Sequence, residues 1–317
     1  MLSVGHSSSA LFRVRRTVAA AGVAGVVLFA GAACGGSDGD SDMPGGMGHA
    51  GEPAASAMSS MPMAGTSLPG GSAGMEAMFS GDGLSSEVNG LRFTPATATL
   101  PANQASGFRF QIVATGGTPV TSFALDQTKL MHFYLIRSDL TGFQHVHPTM
   151  APDGTWTANL HGTPAGSYRA YASFTARVSG RDVPLVLSVP VTVPGTATTV
   201  PLPAPATVTT VDGYTLTVSG DRPMGGMTHL LTVTATKDGK PVTDLQPYLD
   251  TYAHLTAFHA GNLAFAHLHP QGTVNGDHGG PALSFEATLP QSGSWRLFLQ
   301  FQTAGTLHTA ELTLAVA

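Results

Sequence analysis

Cysteine is nearly absent. Cys34 stands alone among 317 residues, so no disulfide can close within the chain and its domains must be held by core burial. Charge is scarce as well: 10% of residues are charged, and the formal net charge is −5. No basic stripe is present to neutralise phosphates, which excludes nucleic acid as a partner. Missing too are helical periodicity, paired carboxylates, a phosphate loop and a credible Ser-His-Asp set. These absences point away from an enzyme. The tract Gly70-Gly71-Ser72-Ala73-Gly74 fits G-x-S-x-G as a pattern. That motif needs a buried strand before it and a helix after it, and here it lies in a Gly/Ser-rich stretch.

What is present begins with a targeting segment. Arg13, Arg15 and Arg16 precede a short apolar run from Val18 to Ala33, and small residues lead into Cys34. This is the layout of a secretory signal, too short and too rich in Gly and Ala to read as a spanning helix. Gly31-Ala32-Ala33-Cys34 resembles the bacterial lipoprotein signal, although Gly31 stands where Leu is commonest. The resemblance implies a signal over residues 1–33, a lipid on Cys34 and anchorage on the extracytoplasmic face of the cell membrane.

Residues 34–85 read as a disordered tether, because they carry too little apolar and β-branched surface to offset the entropy of ordering. The tether holds seven of the twelve methionines: Met43, Met47, Met58, Met61, Met63, Met75 and Met78, with His49 among them. Thioethers are soft ligands that select Cu(I).

From residue 86 the pattern alternates between apolar and polar, with Asp-Gly and Asn-Gly turns, and the second half repeats the first. The expected fold is all-β. It comprises two tandem antiparallel β-sandwiches of immunoglobulin-like or cupredoxin-like type, at 86–195 and 207–317, with a Pro-rich linker at 196–206. GSYRAYASF (166–174) matches GSWRLFLQF (293–301) at an offset of 127, whereas earlier landmarks match at 122.

The repeat is sharpest at two stretches, HFYLIRSDLTGFQHVHP (132–148) and HLTAFHAGNLAFAHLHP (254–270). His132, His145 and His147 correspond to His254, His267 and His269, each 122 residues on. A β-hairpin pairing His132 with His147 puts all three imidazoles on one face, since side chains alternate along a strand and paired residues share a side. The same holds for His254 opposite His269. Three imidazoles with an open position suit copper, with zinc the other fit. Pro148 and Pro270 should end their strands. A weaker candidate is Met224, Met227 and His229 in a loop of the second repeat, a soft Cu(I) set. His161, His259, His278 and His308 have no counterparts and read as solvated, His308 being a candidate fourth ligand in the second repeat.

Asp139-Leu140, Phe143, His145, His147, Pro148, Asp153-Gly154-Thr155 and Gly166-Ser167-Tyr168-Arg169 together form a pattern. It resembles that of a family of exported bacterial β-sandwich proteins, often lipoproteins and notable in actinobacteria. The resemblance covers 86–317 and implies copper or other heavy-metal handling. The second repeat departs from it at Gly261-Asn262. Three readings stand at this point. The first is a lipid-anchored copper buffer or delivery protein. The second is a non-catalytic immunoglobulin-like module that docks an envelope protein, with structural histidines. The third is a three-histidine copper or zinc enzyme.

Overall fold

The computed structural model describes residues 81–317. The signal, Cys34 and the methionine-rich part of the tether lie outside the described residues. Every regular element from Glu87 to Val316 is a strand, and all the paired ladders are antiparallel. No helix among the described residues is long and apolar enough to cross a membrane. The all-β reading holds.

The first repeat is two facing sheets. One runs Glu87–Val88, Leu91–Pro95, Ser106–Ala114, Thr155–Leu160, Thr149–Met150 in spatial order. The other runs Arg181–Val193, Gly166–Val178, His132–Arg137, Gln144–Val146, with Phe123–Ala124 alongside Gly166–Val178. The second repeat uses the same plan, but its leaves are joined. Phe265–Pro270 pairs with Ala253–His259 through Phe265 to Leu268, then crosses to Ala282–Thr288 through His269 and Pro270. Pro270 therefore closes its strand. After Val146 in the first repeat the chain passes His147 and Pro148 and pairs with the opposite sheet at Thr149. Prolines mark the crossing points because they cannot donate to a ladder.

Each sandwich has its own core. Phe93, Phe108, Phe110, Phe133, Leu135 and Trp156 belong to the first, and Leu255, Phe285, Trp295, Leu297 and Phe301 to the second. A third cluster belongs to neither. Tyr134, Ile136, Leu140, Tyr171 and Val186 of the first repeat pack on Phe258, Phe265 and Phe298 of the second. The run HFYLIR is thus buried on both faces along nearly its whole length. Phe133 and Leu135 face the sandwich, while His132, Tyr134 and Ile136 face the other repeat, as strand alternation requires.

An approximate two-fold relates the halves. Phe143 stacks on Phe298 with ring centroids 4.2 Å apart, and their counterparts Phe265 and Tyr171 stack at 5.4 Å. Two connecting segments also bind here. Asp139 accepts from Arg137 at 2.6 Å and from the Val200 amide at 2.9 Å, tying the first hairpin tip to the linker. Residues 82–85, which composition assigns to the tether, are seated on both repeats. The Phe265 amide donates to the Asp82 carbonyl at 2.8 Å, and the Ser188 amide to that of Ser85 at 2.9 Å. Gly83 has φ +68°, and an added Cβ would lie 2.9 Å from that of Phe265. Backbone pairing, which composition does not report, decides where the tether ends.

Candidate metal centre between the repeats

The hairpin register is the one expected. Phe133 pairs with Val146 and Tyr134 with His145, which sets His132 opposite His147. Leu255 pairs with Leu268, which sets His254 opposite His269. Neither set of histidines faces its own sandwich core. Both lie on the outer faces of the hairpin sheets, and those faces meet. Ring centroids of His132 and His267 lie 6.1 Å apart, and those of the two-fold mates His254 and His145 lie 6.0 Å apart. His132 and His254 are 6.1 Å apart. The six histidines form one cluster at the seam.

The first set converges. One nitrogen each of His132, His145 and His147 falls within 4.8 Å of the others, and it is the one such group of His, Cys, Asp or Glu among the described residues. The second set is wider, with centroids 6.2 Å apart for His254 and His267 and 5.4 Å for His267 and His269. The two triplets, equally spaced in the sequence, differ in geometry. His269 is drawn into the ladder opposite Glu286, whereas His147 lies in the gap between two strands, outside any ladder.

Carbonyl partners fix the tautomers of His132 and His254. His132 Nε2 lies 3.1 Å from the Asp126 carbonyl, and His254 Nε2 lies 3.1 Å from that of Tyr248, again 122 residues on. A carbonyl has no hydrogen to give, so both Nε2 atoms donate and both Nδ1 atoms carry lone pairs. His145 Nδ1 lies 2.6 Å from Gln300 Oε1, a bond that reaches across the seam from the second repeat. With Nδ1 donating, His145 Nε2 also carries a lone pair. It faces His132 Nδ1 at 3.1 Å. Two acceptors then confront each other. His147 Nε2, His254 Nδ1 and His267 Nε2 have no hydrogen-bond partner and no exposed surface.

A proton is a poor filler for this gap. Burial holds His132 below the ordinary histidine range and His145 well below it. Burial, with repulsion from His132, takes His147 down to about 3 and His254 to about 4. His267 is pushed well below by burial and by its neighbouring histidines, His269 first. The rings are neutral at physiological pH and their lone pairs are unused. Two imidazole nitrogens bound at about 2.0 Å to one tetrahedral cation stand about 3.3 Å apart. The 3.1 Å spacing of His132 Nδ1 and His145 Nε2 fits that geometry. The carbonyl and amide partners on the far nitrogens are the outer support that metal-bound histidines normally have.

The other candidates are not gathered here. Met224 and Met227 are largely exposed, and His229 Nε2 accepts from the Met224 amide at 3.0 Å, so that nitrogen is occupied. His308 is buried rather than solvated and is tied at both nitrogens, to Asp212 at 2.7 Å and Thr303 at 2.9 Å. That Asp-His-Thr order resembles a hydrolase triad, but Thr303 is buried, 3% exposed, and its hydroxyl is also bonded to Tyr214. His259 is held by Asn262 and the Ser292 carbonyl. His161 and His278 are exposed, as expected. Sequence reasoning missed Gln300. Its signal was a polar residue within the apolar run Leu297-Phe298-Leu299-Gln300-Phe301.

Fold and site together define a tandem β-sandwich protein with a largely buried histidine cluster between its repeats. The chain belongs to the DUF8832 family, described as a domain of unknown function, which it matches twice, at residues 86–191 and 209–317. No curated protein matches it. Similar solved structures include FdeC, a broadly conserved Escherichia coli adhesin, at 18% identity over 73% of this chain and 65% of that one, with a TM-score of 0.24. Others are Yersinia pseudotuberculosis InvD, at 14% over 73% and 58% with a TM-score of 0.22, and the D0-D1 domain of intimin, at 10% over 71% and 97% with a TM-score of 0.20. The chain spans less than two thirds of the FdeC and InvD structures.

Proposed function

We propose that the protein binds a metal ion, copper foremost and zinc second, through His132, His145 and His147, and acts as a non-catalytic buffer or delivery protein. The observation that carries this reading is the 3.1 Å approach of two lone-pair nitrogens, His132 Nδ1 and His145 Nε2, with an unpartnered His147 Nε2 beside them. Burying unsatisfied acceptors costs about 1–3 kcal/mol each, and a cation removes that cost. Export and a lipid on Cys34 complete the reading: an envelope protein tethered to the extracytoplasmic membrane face, with the methionine-rich tether as an auxiliary Cu(I) ligand set. The test is Cu(II) titration of the whole chain, with His145→Ala and His147→Ala combined as the variant. The tight binding event should disappear. Unchanged stoichiometry and affinity would remove these histidines from the ligand set.

One observation favours a second reading, a non-catalytic interaction module with structural histidines that docks an envelope protein. If the Gln300 amide is turned over, its NH2 donates to His145 Nδ1, and His145 Nε2–H then donates to His132 Nδ1. That closes the chain of hydrogen bonds without a cation. It leaves His147 Nε2, His254 Nδ1 and His267 Nε2 unpartnered, which is why metal binding ranks first.

A further inference from the structure

We propose that the second repeat supplies a second cation site, weaker than the first and adjacent to it, on His254 Nδ1 and His267 Nε2. The inference rests on the metal-binding reading and extends it from one cation to two of the same class. These two nitrogens are the two-fold counterparts of His132 Nδ1 and His145 Nε2. Each is buried and without a hydrogen-bond partner. The support behind His254 repeats that behind His132, a carbonyl on Nε2 at 3.1 Å in both. His269, 5.4 Å from His267 between ring centroids, is the third imidazole of the set, although its nitrogens do not converge with the other two as those of the first set do. The cross-seam spacings of 6.1 and 6.0 Å place the two sets side by side.

Two features make the second site weaker. The residue that pairs with His254 in the sheet is Gln300, and its counterpart opposite His132 is Ser173. Gln300 reaches over to fix His145; no hydrogen bond joins Ser173 to His267, and the shorter side chain leaves that ring without a support on its far nitrogen. The second cation also arrives beside the first in a largely buried site, where like charges repel more strongly than in water. Loading is therefore sequential.

The experiment is Cu(II) loading of the whole chain, read by isothermal titration, bound-metal analysis and electron paramagnetic resonance. Tether sites are common to every variant, so differences between variants report the cluster. The wild type should show two cluster-dependent events separated by at least about tenfold in affinity. His254→Ala with His267→Ala should lower the count by one and keep the tight event. Adding His145→Ala and His147→Ala should remove the second. Ser173→Gln should tighten the weak event. Fully loaded wild type should give the broadened, partly silenced signal of two coupled Cu(II) ions, a readout that needs no variant to fold. A single cluster-dependent ion, or an uncoupled signal at full loading, overturns the second site and leaves the first intact. Absence of any cluster-dependent ion overturns the underlying reading as well.

Discussion

Gln300 separates a metal ligand shell from a purely structural network. It is 6% exposed and lies 155 residues from His145, yet it makes a 2.6 Å bond to that ring. In the metal-binding reading it acts as an acceptor, holding His145 Nδ1–H so that Nε2 points its lone pair at the cation. Gln300→Leu keeps the volume and removes the acceptor. The stranded N–H should cost about 1–3 kcal/mol of folding free energy. Loss of an outer-shell partner should weaken Cu(II) binding about 10–100-fold, or about 1.4–2.7 kcal/mol. Gln300→Glu keeps an acceptor that cannot donate and should bind at least as tightly as wild type, because a carboxylate partner raises the basicity of the ring. Chelator-competition titration at pH 7.5 reads affinity, and urea unfolding of the metal-free protein reads stability. In the structural reading Gln300 is a donor, so Glu and Leu fail alike in stability. Refutation is either Gln300→Glu behaving like Gln300→Leu, or Gln300→Leu binding copper as wild type does.

Two further outcomes follow from the seam. His254 has a folded-state pKa of about 4, set by burial and by repulsion from His132 against the pull of the Tyr248 and Leu249 carbonyls. Because that value is depressed below the unfolded one, its contribution is complete above the unfolded pKa near 6.5 and is lost as pH falls from there toward 4. Between pH 7.5 and 5.5 this histidine alone should remove about 1.3 kcal/mol from metal-free stability; a urea midpoint that stays flat over that range would show that the ring is not neutral in the fold. Phe298, 1% exposed and stacked on Phe143, is the central aromatic contact between the repeats. Phe298→Ala should cost about 3–5 kcal/mol and also weaken Cu(II) binding, since it loosens the seam that brings Gln300 to His145. A stability loss with unchanged affinity would uncouple the packing from the site.

How much of this was legible in the sequence follows from the range of the interactions involved. Alternation over residues 108–114 and 185–193 reports local burial, so strands and sandwiches were readable. Hairpin register was readable for the same reason: a tight loop fixes the pairing of His132 with His147. What faced the outer side of the hairpin was not readable, because alternation identifies a face without identifying its partner. The clue lay in HFYLIR and HLTAF, where apolar residues occupy both parities and so demand cover on both sides. The cover comes from the other repeat, more than a hundred residues away. Duplication explains why the triplets look equivalent, and Ser173 against Gln300 is one of the differences between the copies that make them unequal. Two identical repeats on a two-fold would have made two equal half-sites with equal claims on a cation. Gln300 bonds His145 and not its counterpart His267, so in the metal-binding reading it would favour the first repeat for the first cation. Part of the asymmetry lies in a residue that is not a ligand, and a search for ligands alone passes over it.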